Sequence, residues 1–210
     1  MRMAYPVTIA VQPPAGPRNR LTTAFRAILA IPHVILVGGV GIGLASSTDG
    51  RTSASAEGGL IGAVAVALAI VSWFTIVFAG THIAGIRQLT GFYLRWRGRA
   101  LAYLMLLEDA YPPFGDMPYP VAVEIAEPSA PRNRLTVAFR LILLIPQLFV
   151  LAFVMLAWGL LTIVAWFAIL FTGRYPESLY AFAVGALRWR VRVDAYALLM
   201  TDEYPPFSLS

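Results

Sequence analysis

Residues 17–32 (PRNRLTTAFRAILAIP) return as residues 131–146 (PRNRLTVAFRLILLIP), with thirteen of sixteen positions identical at an offset of 114. Residues 94–114 (LRWRGRALAYLMLLEDAYPPF) return as 187–207 (LRWRVRVDAYALLMTDEYPPF), with thirteen of twenty-one identical at an offset of 93. A chain that repeats itself this closely is expected to build one unit twice. The drop in offset means that the first copy carries 21 more residues in its middle. Tyr5-Pro6-Val7 and Tyr119-Pro120-Val121 open the copies, and the turn-rich Gly115-Asp116-Met117-Pro118 joins them. The reading is a first repeat over 1–114, a linker over 115–118 and a second repeat over 119–210.

The middle of each copy is membrane material. Ala27–Thr48 and Gly58–Ile86 are uncharged runs of 22 and 29 residues, with a polar stretch at 46–53. A spanning helix needs about 20 apolar residues, so a helical hairpin is expected over about 21–86. In the second copy, Leu141–Gly173 is 33 uncharged residues without a polar break. One helix of that length would run about 50 Å against about 30 Å of hydrocarbon. A tight hairpin over about 135–173, turning near Met155–Gly159, is therefore expected. Hydrophobic residues make up 59% of the chain and charged residues 13%, against roughly 45–50% and about 25% in soluble domains.

Charge placement orients the hairpins. All 16 basic residues are Arg, and of these only Arg51 lies in the first hairpin's loop. The positive-inside rule then predicts a multi-pass protein of the bacterial inner (cell) membrane with both termini cytoplasmic and Asp49–Ser55 outside. Met1–Pro6 carries no apolar secretory core, so insertion through the first hairpin is expected.

After each hairpin, Leu179, Phe182, Ala186, Trp189, Val193, Tyr196 and Met200 recur at helical spacing, as do their first-copy counterparts. This predicts amphipathic interfacial helices over about 86–108 and 177–201. Trp96, Trp189, Tyr103 and Tyr196 are expected to anchor them. Arg95, Arg97, Arg99, Arg188, Arg190 and Arg192 are expected to meet anionic headgroups, with an i,i+4 pair from Arg190 to Asp194. Ahead of each first arm, Asn19 and Asn133 read as N-caps, flanked by Arg18, Arg20, Arg132 and Arg134. Arg26 and Arg140 lie where the apolar runs begin, with Asp109 and Asp202 as candidate partners. Val7–Val11 and Val121–Ile125 alternate like short strands. The fold class expected is an all-α membrane protein. It comprises two tandem helical hairpins, each followed by an interfacial helix, with short cytoplasmic strand-like segments.

Absent residues exclude chemistry. There is no Cys and no Lys, which rules out disulfides, thiol catalysis and Schiff bases. His33 and His82 are the two histidines, and their counterparts are Gln147 and Tyr175, so no catalytic group recurs in both copies. Gly38–Gly43 lies within an apolar arm, where small residues permit close helix approach. No catalytic residue, metal site or cofactor is expected. The net charge of +5 points to an anionic membrane surface before nucleic acid.

The repeated PRNR segment, Phe171-Thr172-Gly173-Arg174-Tyr175-Pro176-Glu177 and the RWRVRVDAYALLMTDEYPPF ending resemble the bacterial DUF4389 family of membrane proteins of unknown function. The first copy departs from the pattern, with Phe78-Ala79-Gly80-Thr81-His82-Ile83-Ala84 at the corresponding stretch. The resemblance implies no activity, substrate or cofactor. A ligand site, if present, is expected on the second copy around Arg174, Tyr175, Glu177 and Arg188, with Arg132 and Arg134 as further anion-binding candidates. The function expected is that of a non-enzymatic accessory or scaffold subunit, with a protein partner or a second copy of the chain. The alternatives are an anionic-lipid binding or lipid-transport component and a membrane enzyme acting on lipid phosphates.

Overall fold

The computed structural model describes residues 5–14, 16–39, 54–127 and 132–210, with side chains from 58 onward in the third stretch. The first half contains β1 (Val7–Val11), α1 (Arg20–Ala24), α2 (Arg26–Val37), α3 (Ala54–Phe74) continued by a π-helical turn (Thr75–Ala79), and α4 (Ala84–Leu104). The second half contains β2 (Val121–Ile125), α5 (Arg134–Ala138), α6 (Arg140–Thr172) and α7 (Glu177–Ala197). The asparagine caps form as expected. Asn19 Oδ1 accepts from the Leu21 and Thr22 amides, and Asn133 Oδ1 from those of Leu135 and Thr136.

The expected second hairpin is not formed: α6 is one helix of 33 residues. Nothing between Met155 and Gly159 stops a helix, since a lone glycine costs only about 1 kcal/mol there. Tertiary burial then decides. Arg140, Leu144, Gln147, Leu151, Met155, Trp158, Ala165 and Ile169 make one buried stripe along the whole helix.

The first half carries the same stripe in two pieces. Arg26, Ala30, His33 and Val37 are buried on α2, and Gly62, Ala65, Ser72 and Ile76 on the following segment. These are the counterparts of the eight α6 residues at the two sequence offsets. Val37 and Gly59 correspond to the adjacent Leu151 and Ala152, so the extra residues are 38–58. The break is closed by backbone contact. Gly59 has φ +67, and a Cβ there would lie 2.5 Å from Gly38 N, so only glycine fits. The first hairpin is thus replaced by an interrupted version of α6. The polar stretch at 46–53, Asp49–Ser55 except 54 and 55, Arg51 and most of the Gly38–Gly43 run lie outside the described residues.

The halves interlock. β1 and β2 pair antiparallel with Val7 opposite Ile125, Ile9 opposite Val123 and Val11 opposite Val121. This register exchanges equivalent positions of the two copies. Trp73 Nε1 donates to Val137 O at 3.0 Å, and its counterpart Trp166 donates to Thr23 O at 2.9 Å. Each long helix therefore ends beside the start of the other, and the two run antiparallel. α4 and α7 form the middle layer, packed on each other, on the long helices and on the ribbon.

That placement corrects the expected interfacial helices. Trp96 and Trp189 are 6% and 5% exposed, and Tyr103 and Tyr196 are fully buried. The apolar seam faces the protein's own long helices. The outward apolar surface belongs to α6, where Leu141, Ile145, Phe149, Phe153, Leu160 and Phe171 are exposed, and to α3, where Leu60, Val64, Ile70 and Phe74 are exposed. Two helices, Gly58–Ala79 and Arg140–Thr172, are long and apolar enough to cross a membrane.

One contact gives a packing test. A Cβ on Gly62 would lie 2.7 Å from the Tyr93 hydroxyl. The second half has Met155 and Ala186 at these positions, a large–small exchange. Gly62→Ala should destabilise by about 1–3 kcal/mol, and adding Tyr93→Phe should recover part of it. Melting curves in detergent check this, and equal melting of Gly62→Ala and the parent would contradict the contact.

Candidate functional site

Two arginine clamps organise the molecule. Arg140 Nη1 donates to Tyr196 O at 2.7 Å and Thr201 O at 2.8 Å, while Nη2 meets Asp202 Oδ1 at 2.7 Å. Arg26 repeats this with Tyr103 O, Glu108 O and Asp109 Oδ1. Each guanidinium also lies over a tyrosine ring, at 4.1 Å for Arg26 on Tyr103 and 4.2 Å for Arg140 on Tyr196. The sequence-predicted partners Asp109 and Asp202 are those found. Leu106 and Leu199, both in the left-handed region, turn the chain just before these aspartates. Such a conformation costs a branched residue about 1–3 kcal/mol, and the clamp is among the contacts that hold it.

A second pair of contacts sits further along. Trp189 Nε1 donates to Gln147 Oε1 at 2.9 Å, and Gln147 Nε2 donates to Pro205 O at 2.5 Å. In the first half, Trp96 Nε1 donates to His33 Nδ1 at 3.0 Å. An accepting Nδ1 leaves the proton of neutral His33 on Nε2. The imidazole stacks on Phe114 with centroids 4.7 Å apart. The histidine and the glutamine thus share one structural duty.

Most arginines expected at lipid headgroups are engaged inside the protein. Arg190 meets Asp194 at 3.1 Å, the expected i,i+4 pair, and Arg97 meets the same carboxylate at 3.1 Å. Arg95 and Arg99 reach Asp116, and Arg132 reaches Asp202 and Leu199 O. Arg188 Nε donates to Ile9 O, and Arg192 donates to Ser210 O and lies 5.5 Å over the Tyr5 ring. Arg20, Arg134 and Arg174 differ: among the described residues they are the exposed arginines. They stand at the ends of the long helices. Arg134 lies against Gly80, and Arg20 against Gly173.

Around Arg174 the structure opens a pocket of about 510 Å³ between the loop after β1 and the α6–α7 junction. Pro13, Arg18, Arg174, Tyr175, Glu177 and Tyr180 are among its lining residues. Of the residues expected around a second-copy site, Arg174, Tyr175 and Glu177 line this pocket, while Arg188 lies elsewhere. Arg18 and Tyr180 are the residues sequence reasoning missed. The signal was the difference between Tyr180 and its first-half counterpart, Arg87.

The two halves diverge at this point. Arg87 donates to Met200 O and Ala126 O and pairs with Glu127 at 2.9 Å. Tyr180 and Pro13 replace Arg87 and Glu127 in the second-copy junction, and Arg18 turns instead to Leu107 O, the counterpart of Met200 O. Among the described residues the buried Tyr175 and Tyr180 hydroxyls have no hydrogen-bond partner, and Arg18 Nη1 faces Asp109 Oδ1 at 3.5 Å without a hydrogen bond. The Arg18 guanidinium lies 5.9 Å from the centre of each tyrosine ring. Burial pushes the Tyr175 phenol up to about 12, with Arg18 pulling the other way. Burial wins, and the phenol stays protonated at neutral pH. Among the described residues, no group of three or more His, Asp or Glu is placed to hold a metal ion.

The sequence profile described as a domain of unknown function, DUF4389, matches residues 58–115 and 134–208. The chain belongs to this family. The first match begins where the extra segment ends, which is where the two copies become alignable without a break. No curated protein matches the chain, and no solved structure does.

Proposed function

For this DUF4389 chain we propose a non-enzymatic membrane protein that lies along one leaflet and serves as an accessory or scaffold subunit. The observation that carries the reading is the outer face of α6, exposed and apolar from Leu141 to Phe171. Those residues are about 45 Å apart along the helix. Burying both ends in about 30 Å of hydrocarbon would need a tilt close to 50°, beyond the range of up to about 40° seen for spanning helices. Lying in the leaflet covers the whole face without that tilt. The exposed Arg20, Arg134 and Arg174 then stand at headgroup height around the apolar face, which favours an anionic surface such as the cytoplasmic leaflet of a bacterial inner membrane. The non-enzymatic reading is supported by the buried arginines, whose hydrogen bonds and ion pairs hold backbone carbonyls and carboxylates in place.

The absence of Cys makes the test simple. Single-cysteine variants Ser178→Cys, beside the end of α6, and Glu203→Cys, beside its start, are reconstituted and labelled with a membrane-impermeant maleimide. Both positions should label from the same face. Labelling from opposite faces would establish a spanning α6 and overturn the leaflet placement.

A further inference from the structure

We propose that the pocket at the α6–α7 junction binds a phosphoryl oxyanion, with Arg18 and Arg174 supplying the positive charge and the Tyr175 and Tyr180 hydroxyls donating hydrogen bonds. The pocket is built from both copies, since Pro13, Pro14 and Gly16–Arg18 of the first line it together with Arg174, Tyr175, Glu177 and Tyr180 of the second. The proposal rests on the leaflet reading only for the source of the ligand.

Four observations converge. Arg18 is a buried cation, its side chain 4% exposed, with Nη1 3.5 Å from Asp109 but without a hydrogen bond. Two phenol hydroxyls beside it are sequestered and, among the described residues, unpartnered. A buried donor without an acceptor costs about 1–3 kcal/mol, so the two phenols beside this cation describe a site prepared for an acceptor rich in oxygen. Arg174 is exposed and, among the described residues, pairs with no carboxylate. Finally, the first-half counterpart of Tyr180 is Arg87, which is bonded to Met200 O, Ala126 O and Glu127 and lines a smaller cavity of about 240 Å³. Tyr180 and Pro13 carry no such charge pair, so the two places differ in the chemistry they offer.

The phosphoryl group can come from free phosphate or from a lipid headgroup. An apolar cleft of about 350 Å³, lined by Ala27, Leu104, Leu106, Ile163, Trp166 and Phe167 among others, opens between α2 and α6. Trp166 and Phe167 precede Gly173 by two turns or less of α6, about 10 Å of helix. A lipid held by its phosphate could lay an acyl chain in this cleft, which favours the lipid source.

The full chain, purified in a neutral maltoside detergent, is titrated calorimetrically with inorganic phosphate and separately with dihexanoyl phosphatidate. The parent should bind at least one probe. Binding of phosphate alone identifies a free oxyanion site, and binding of phosphatidate alone identifies a headgroup site. Arg174→Ala and Tyr180→Phe should each weaken that binding by about tenfold or more, as expected for hydrogen bonds to a charged group. Arg134→Ala, the same loss of charge at the other end, should bind as the parent does. Tyr180→Phe should also melt no lower than the parent without ligand, because it removes a hydroxyl that has no partner. Binding of neither probe, equal binding by Arg174→Ala, Tyr180→Phe and the parent, or a lowered ligand-free melting temperature in Tyr180→Phe would overturn the proposal. No bilayer is present, so failure here leaves the leaflet placement standing, and opposite-face labelling leaves this site standing.

Discussion

Arg140→Ala should lower the melting temperature of the detergent-solubilised protein by about 10 °C or more. The guanidinium satisfies two buried carbonyls, Tyr196 O and Thr201 O, and one oxygen of Asp202. Removing one partner of a buried ion pair costs about 3–5 kcal/mol, because the other charge stays behind without compensation. In a chain of this size, 1 kcal/mol moves the midpoint by roughly 2–4 °C. Arg26→Ala should do the same through Tyr103 O, Glu108 O and Asp109. Arg140→Lys should recover only a small part, since one ammonium cannot span three acceptors as a planar fork does. Arg174→Ala, an exposed position, supplies the control and should melt as the parent does. If the Arg140 and Arg174 variants melt together, the clamp does not hold the fold.

Trp189→Glu should leave little folded protein. The indole is buried between α6 and the Pro205–Phe207 segment, with its ring 5.9 Å from that of Phe207. Its Nε1 bonds Gln147, which in turn bonds Pro205 O. Truncating a buried aromatic costs about 3–5 kcal/mol, and the glutamate adds an unpaired buried carboxylate. Trp96→Glu should act alike through His33. Trp189→Phe, which keeps most of the volume and loses the hydrogen bond, should fall between the parent and Trp189→Glu. The monodisperse fraction after extraction and the melting curve measure all three. A Trp189→Glu protein that melts like its parent would return the tryptophan to a lipid-facing position.

The amino-acid sequence alone determined several features that are local or that recur in both copies. The repeat and its 21 extra residues are arithmetic on identical segments. The asparagine caps follow from residue type ahead of an apolar run. The partnership of Arg26 with Asp109 and of Arg140 with Asp202 could be read because a deep arginine needs a carboxylate, and each copy offers one in the same place. The Arg174–Glu177 junction drew notice because it is where the copies disagree.

Tertiary structure alone decided what covers each face. Helical spacing groups Trp189, Tyr196 and their neighbours on one side of α7, but the same spacing serves a lipid interface and a protein core. The answer came from α6, which runs unbroken and lays its stripe from Arg140 to Ile169 against that seam. Likewise, an uncharged run of 33 residues permits a hairpin or one long helix, because backbone hydrogen bonding is satisfied locally in both. Burial of Met155 and Trp158 on the same stripe selects the single helix. The pocket beside Arg18 was beyond reach for a related reason. It is made by a loop of one copy meeting the junction of the other, and contacts between distant segments depend on how the two halves interlock, which no pattern within either half encodes.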